Sequence, residues 1–303
     1  MNRPIRNVLV VVKKSVYEIY FVKRLSDSPG RISRPDPRLL KAFRASHDAH
    51  YGALLTVQNA LNRLGIRHCT LDRKREIPAG RYDLVVTVGG DGTFLSAAAQ
   101  VKDALLLGVN SNPDISVGRF CTATGEDFFP ILKSALSNRC PIRGLHRMDL
   151  FLNGRFTGIR ALNDLLVCHT SPPAMSHYRL RIGGRMEDQH SSGVWVATAA
   201  GSTGAIQSAG GRPLPLSSDR LGYRPRELYI KHRRAYRLTG GTVGPDRPLR
   251  FESRMEDGRV FVDGTRAQLN FCHGDALEVR VSSHPLRVID HGRRLEARHL
   301  RRA

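Results

Sequence analysis

Residues 85–98 read VVTVGGDGTFLSAA. Strand-forming residues run into three glycines set around an aspartate, followed by a threonine, and the chain then resumes with small helix-favouring residues. A buried parallel strand, a tight loop and a helix fit that order. In open α/β sheets such loops lie beyond the carboxyl ends of the strands, where ligands bind. Gly89, Gly90 and Gly92 allow backbone conformations and close approaches that a Cβ would forbid. Their amides, with the start of the next helix, can cradle phosphate oxygens, and Thr93 can add a hydroxyl. Asp91 is the odd member, because a carboxylate inside an anion-binding loop is electrostatically awkward without a task. Two tasks suit it: accepting a proton from an attacking hydroxyl, or helping to hold Mg²⁺. The Walker pattern GxxxxGK[ST] is absent. The plain alternative is a tight turn in which Asp91 caps the helix.

The segments around this loop alternate between strand and helix. NVLVVV, with its core at Val8–Val12, IRHCTL, DLVVTV and ALLLGVN read as strands. A helix is expected from about Ser46 to Leu64, with Leu54, Leu55, Val57, Leu61 and Leu64 on one stripe and Gly65 as its stop. Another is expected from about Asp127 to Ser137, and the loop PDPR reads as irregular. Near Arg143 the texture changes. FLNGRF places Asn-Gly between apolar alternation, a hairpin signal, and RIGGRM, EDGRVFVDGT and FCHGDALEVRV repeat the idea. ALNDLLV, GVWVATA and ELYIKH lie between them as strands, and SSDRLGYRPRE reads as irregular. The expected architecture is an α/β, Rossmann-like N-terminal domain over residues 1–142 and a β-rich, antiparallel β-sandwich domain over 143–284. The final segment 285–303, strand-like and then helical, is expected to pack back on the first domain.

Composition narrows the class. With 303 residues the chain can build two modest cores. No apolar stretch approaches the roughly 20 residues needed to span a bilayer, and the apolar run after MNRPIRN is too short for a signal-peptide core. The five cysteines, Cys69, Cys121, Cys140, Cys168 and Cys272, are scattered without a CxxC pair, which argues for reduced thiols and a cytoplasmic protein. The 48 basic and 27 acidic residues leave a formal charge of +21, mostly from arginine. Such a field attracts polyanions, yet the arginines are spread along the chain without a zinc-finger, RNP or basic-zipper signature. Phosphorylated small molecules, or an arginine-biased genome, account for the charge equally well.

A second constellation joins the first. Residues 198–211 read TAAGSTGAIQSAGG, a glycine- and hydroxyl-rich loop following the strand GVWVA. Two such loops in different domains can clamp a substrate carrying several phosphates or ribose hydroxyls. ALNDLLV adds Asn163 beside Asp164 near a strand start, an amide and a carboxylate suited to ribose hydroxyls and an adenine amino group. Alone, Asn-Asp is more often a turn.

GGDGT, the Asn-Asp pair and the TxxGSTxxxxSxGG loop, in this order, resemble the NAD kinase family over roughly residues 80–211. GGDGT by itself also occurs in diacylglycerol, sphingosine and 6-phosphofructo-kinases; the three together are specific. ALNDLLVCHTSPPAMS, the SSG at 191–193 and TAAGST in place of the commoner TPTGST are most similar to the plant peroxisomal-type NADH kinase branch. The resemblance implies transfer of the γ-phosphate of MgATP to the 2′-hydroxyl of the adenosine ribose of NAD⁺ or NADH. Asp91 would activate that hydroxyl, and Gly89, Gly90, Gly92 and Thr93 would hold phosphates. Asn163 and Asp164 would bind the adenosine part. Thr198, Gly201, Ser202, Thr203 and Ser208 would form the dinucleotide pocket's wall from the second domain. Polyphosphate users share these loops, and the family is commonly dimeric or tetrameric.

The chain departs from the family pattern at several places. Ser192 stands where typical members carry an Asp near the nicotinamide. Loss of that charge weakens a preference for cationic NAD⁺, so NADH is expected to be well accepted. Gly204 and Ala205 replace Ala-Tyr, Arg119 replaces an aromatic, and GVNSNPDIS departs from GVNxGxLGF. Asp263 and Gly264 in FVDGT resemble a family Asp-Gly, with turn chemistry the expected role. His169, His177, His190 and His273 have no metal-site spacing, and Trp195 is expected in the core. A diacylglycerol-type lipid kinase lacks support from any membrane-docking stretch. A non-enzymatic nucleic-acid-binding protein rests on net charge alone.

Overall fold

The computed structural model describes residues 4–23, 36–229, 236–291 and 295. The chain divides into two units, one running to Arg143 and resuming at Arg287, the other covering Gly144–Leu286. The first opens with β1 (Asn7–Val12), a short π-helical turn (Glu18–Lys23), α1 (Pro37–Arg63), β2 (Arg67–Asp72) and β3 (Leu84–Gly89). It continues with α2 (Asp91–Ala98), β4 (Leu105–Asn110), β5 (Ala123–Thr124), α3 (Phe128–Leu136) and β6 (Ile142–Leu145). Continuous apolar runs make β1, β3 and β4 central strands buried on both faces, and they pair in parallel, as such runs do.

The long helix begins nine residues before the expected Ser46. Asp36 and Pro37 form its start: the Asp36 carboxylate accepts the Arg38 amide at 2.9 Å, and Pro37 takes the first helical position. Its buried stripe is His50, Ala53, Leu54, Val57, Ala60 and Leu61. Leu55, expected on that stripe, is 57% exposed because it falls one position off the helical period.

The second unit holds β7 (Met148–Leu152), β8 (Arg155–Ala161), β9 (Asp164–His169), β10 (Ser176–Ile182), β11 (Arg185–Ser191) and β12 (Val194–Ala197). After a one-turn helix α4 (Ala205–Ser208) come β13 (Leu221–Pro225), β14 (Gly241–Val243) and β15 (Leu249–Ser253). β16 (Gly258–Val262), β17 (Ala267–Asn270) and β18 (Ala276–Val281) complete it. They form two six-stranded antiparallel sheets, ordered β11-β10-β15-β18-β7-β8 and β14-β13-β12-β9-β16-β17. Inward residues of both sheets, among them Leu150, Leu165, Tyr178, Val196, Phe251, Val260 and Leu277, make one core, the interior of a β-sandwich. Asn153 and Gly154, both at positive φ (50° and 79°), turn β7 into β8 as the Asn-Gly signal requires. SSDRLGYRPRE is not wholly irregular, since it contains β13, paired with β12 through Arg224 and Trp195. Trp195 alternates with the core residues Val194 and Val196 and so faces away from the core, against expectation.

The last strand, β19 (Leu286–Ile289), pairs in parallel with β4, so the parallel-based sheet reads β2-β1-β3-β4-β19-β6, with β5 also on β4. Thr122 donates to the Ile289 carbonyl at 2.8 Å, and Arg143 pairs with the buried Asp290 at 2.7 Å. The helix expected after this strand lies outside the described residues. No helix among the described residues is long and apolar enough to cross a membrane.

Candidate active site

In the first unit, GGDGT links the carboxyl end of β3 to the start of α2. A Cβ on Gly89 would collide with the Thr93 hydroxyl, and one on Gly90 would sit 2.6 Å from Ser116 Oγ. Gly89, at φ 156° and against both Oγ1 and Cβ of Thr93, therefore requires glycine on steric grounds, whereas at Gly90 the Ser116 hydroxyl could turn aside. Asp91 is the first residue of α2, Gly90 is its N-cap, and the helix has no side-chain cap. Asp91 Oδ1 instead accepts the Phe120 amide at 2.8 Å, which disposes of the capping alternative. Phe120 is itself held by stacking on Phe94, with ring centroids 5.3 Å apart. A carboxylate in the first turn is also favoured by the helix dipole. The Thr93 hydroxyl is buried and has no hydrogen-bond partner.

In the second unit, Asn163 and Asp164 lie where β8 of one sheet gives way to β9 of the other. Asp263 organises this point. Its carboxylate accepts the amides of Asn163 (2.9 Å), Leu162 (3.3 Å) and Asp164 (3.3 Å), while its own amide donates to the Asp164 carbonyl at 2.8 Å. Asp263 and Gly264 do form a turn, at φ 47° and 74°, but the side chain does more than turn the chain. It is a residue whose site role sequence reasoning missed. Arg266 Nη2 approaches it at 3.6 Å. The Asn163 side-chain amide donates to Asp164 Oδ2 at 3.0 Å, leaving the pair aligned edge to edge.

Two buried carboxyls so close cannot both ionise easily. Burial, and then the Asp263 charge, push Asp164 up to about 7. Asp263 is also raised by burial, against the pull of the amides and of Arg266. Three amide donors and a guanidinium favour the ionised form on Asp263, so of the two carboxyls Asp164 keeps its proton to higher pH and loses it around neutrality.

The loop after β12 packs against the same point. Thr198 donates its hydroxyl to the Leu162 carbonyl at 2.5 Å and its amide to the Asn163 carbonyl at 3.1 Å. Gly201 lies so close to Asn163 that a Cβ would overlap the Asn163 carbonyl. The Ser202 hydroxyl is used inside the loop, donating to Ala199 O at 2.8 Å and accepting Leu214 N at 2.8 Å. The Thr203 hydroxyl is buried without a partner. A methyl on Gly204 would stand 3.2 Å from the Gly201 carbonyl, 3.8 Å from Asp164 Oδ2 and 4.0 Å from Asn163 Nδ2, so this glycine lies against the same corner. Ser208 is exposed at the end of α4, and Ser192 lies in the turn between β11 and β12, its amide donating to Arg226 O at 3.0 Å. Thus Asn163, Asp164, Thr198, Gly201, Thr203 and Asp263 form one constellation, and Gly89–Thr93 with Phe120 form another.

A parallel sheet carrying an acid in a glycine loop, and a β-sandwich carrying an Asn-Asp corner braced by a hydroxyl-rich loop, define a nucleotide-handling phosphotransferase. The chain is 32% identical over 277 residues to a probable NADH kinase of Oryza sativa subsp. japonica, spanning 84% of this chain and 85% of the relative. It is 30% identical over 282 residues to an NADH kinase of Arabidopsis thaliana, spanning 85% and 89%. An NAD kinase from Archaeoglobus fulgidus, solved in complex with ATP, superposes with a TM-score of 0.69 at 21% identity over 98% of this chain and 99% of that one, a likeness of fold. No family model matches the chain. The chain belongs to the NAD kinase family. A relationship over this length leaves the lipid-kinase and nucleic-acid-binding alternatives without support.

Proposed function

We propose that the protein phosphorylates the 2′-hydroxyl of the adenosine ribose of NADH or NAD⁺ with the γ-phosphate of ATP, making NADPH or NADP⁺. The observation that carries this reading is the Asp91 carboxylate, fixed by the Phe120 amide inside a phosphate-suited glycine loop. Phosphoryl transfer is largely positioning and charge neutralisation, so one base, a metal-bearing donor and fixed donors suffice. Asp91 takes the ribose proton as the new P–O bond forms and the bond to the departing ADP breaks. Gly89, Gly90, Gly92 and Thr93 receive phosphate oxygens. Asn163 and Asp164 recognise the adenosine, held in place through Asp263, while Gly201, Thr203 and Ser208 belong to the same pocket. Ser202 and Thr198 act by shaping their loop.

Mg²⁺ enters with ATP as part of the substrate, and Asp91 is the candidate side chain to help hold it. ATP is the donor supported by the Archaeoglobus complex, with polyphosphate a second candidate of the same chemistry. A polar Ser192 in place of an acid favours acceptance of NADH, the substrate named for the rice and Arabidopsis relatives. The five cysteines are free, consistent with a cytoplasmic setting, and a homodimer or homotetramer is the expected assembly.

Purified protein assayed with NADH or NAD⁺ against MgATP or polyphosphate tests the reading. Asp91→Asn should keep the fold and dinucleotide binding while kcat falls by roughly three orders of magnitude or more. A fully active variant removes Asp91 from the chemistry.

A further inference from the structure

Two neighbouring cations, one of which reaches the glycine loop, have no acidic partner among the described residues. β1 and β2 are adjacent parallel strands whose last residues, Val12 and Asp72, are in register. The residues that leave their carboxyl ends are Lys13 and Arg73, joined by an Arg73 amide to Val12 carbonyl bond of 2.8 Å. Both backbones are fixed further: His50 Nε2 contacts the Lys13 carbonyl at 2.9 Å, and Ser96 on α2 donates to the Arg73 carbonyl at 3.0 Å. The Arg73 guanidinium reaches the loop, with Nη1 3.6 Å from where a Cβ on Gly92 would lie. Neither Lys13 nor Arg73 forms an ion pair among the described residues.

That arrangement costs free energy in the unliganded protein. Lys13 is half-buried, and its ammonium is pushed below its ordinary value first by burial and then by the like charge of Arg73. An anion seated between them would offset the repulsion and compensate the buried charge. A second, independent sign of a ligand lies within the loop: the Thr93 hydroxyl is 1% exposed as a residue and unpartnered, and it points toward the Gly89 backbone. A buried hydroxyl without a partner is expensive unless something arrives to accept or donate.

We propose that Lys13 and Arg73 form a clamp for the terminal phosphates of the phosphoryl donor, closing the side of the site opposite the Gly90–Thr93 amides. The inference rests on the kinase reading and deepens it. Charge favours the donor over the dinucleotide, because two adjacent cations suit a triphosphate or polyphosphate chain better than a singly bridged pyrophosphate. The guanidinium offers a fork of donors to two phosphate oxygens, and the ammonium a point charge beside it. Both would neutralise the charge carried by the group in flight.

The test is Lys13→Met and Arg73→Met, with Lys13→Arg and Arg73→Lys as conservative partners, in steady-state assays of MgATP and NADH. Each Met variant should raise the donor KM by about tenfold or more and lower kcat, while the NADH KM stays within about twofold. The conservative variants should recover part of the loss. Inorganic tripolyphosphate supplies a readout that needs no turnover: it should raise the Tm of the wild-type protein and not that of the Met variants. Their own unliganded Tm should equal or exceed the wild-type value, since a like-charge pair has been relieved. An unchanged donor KM overturns the inference, as does a rise confined to the NADH KM or a retained tripolyphosphate shift. Parallel arms with ATP and long-chain polyphosphate show which donor the clamp serves. If wild-type protein turns over but the variants keep its donor KM, the clamp alone fails. If wild-type protein makes no NADPH or NADP⁺, the kinase reading fails, and the tripolyphosphate arm then decides the clamp.

Discussion

At the residue scale the protein's chemistry is concentrated in acids whose neighbours assign them different work. Asp91 keeps one oxygen on an amide at the partly exposed start of α2, whereas Asp164 is buried beside Asp263, which raises its affinity for a proton. The folded pKa of Asp164, about 7, lies above its unfolded value, so ionisation costs stability. The favourable contribution is complete below the unfolded pKa, near 4, and is lost as pH rises through about 7. Tm should therefore fall between about pH 5 and pH 8 in the wild-type protein. Asp164→Asn, which mimics the protonated form, should flatten that slope and match or exceed the wild-type Tm at pH 8. Parallel Tm–pH curves would show that the proton resides elsewhere. Ser192 allows a second experiment: Ser192→Asp should move the ratio of kcat/KM from NADH toward NAD⁺, and an unmoved ratio defeats the charge argument. Gly89–Thr93 and Asn163–Asp164 were legible as chemistry-bearing residues because their types and order are unusual. Asp263 was not, because its three amide partners lie about a hundred positions away, and no local pattern encodes a bond that long. Ser202 shows the converse. Its hydroxyl looked available to a ligand and is consumed by Ala199 and Leu214.

At the scale of elements, periodicity revealed what exists better than where it begins. The strands of the first unit and the Asn-Gly hairpin were readable because apolar runs and turn residues act locally. The start of α1 was hidden because Asp36 and Pro37 read as loop punctuation until the bond to Arg38 is seen. β13 was hidden because it is short, and Gly222, Arg224 and Pro225 read as loop residues until its pairing with β12 is seen. Glycines separate two kinds of constraint. Gly201→Ala forces a methyl into the Asn163 carbonyl, which should cost about 2–4 kcal/mol and raise the NADH KM more than the ATP KM. Gly52 sits inside α1 with no atom near the Cβ position, so Gly52→Ala should stabilise by about 0.5–1 kcal/mol. Chemical denaturation of the two variants checks both signs, and equal effects would refute the steric distinction.

For the molecule as a whole, the excess of 48 basic over 27 acidic residues is expected to act on anionic substrates before any contact is made. ATP and NAD(H) are anions, and a positive field speeds their encounter in a salt-dependent way. kcat/KM for ATP should decline steadily as ionic strength rises from about 0.05 M to 0.5 M, whereas kcat should change little. A salt-independent kcat/KM would mean that the charge has no part in capture. The two-core architecture follows from the change of texture near Arg143, but the position of β19 between β4 and β6 does not, because parallel pairing leaves no turn signal.

That position has a consequence for biosynthesis. The strand that separates β4 from β6 begins at Leu286, so the ribosome delivers it only after every strand of the sandwich. Until then the nascent α/β unit has β4 covered on that flank only by the two-residue β5 and nothing for β6 to join, a template for mispairing in the crowded cell. The sandwich, whose strands all lie within Met148–Val281, can close first and then hold the chain near home while the late strand slots in. Translation thus inverts the order in which the two units reach completion.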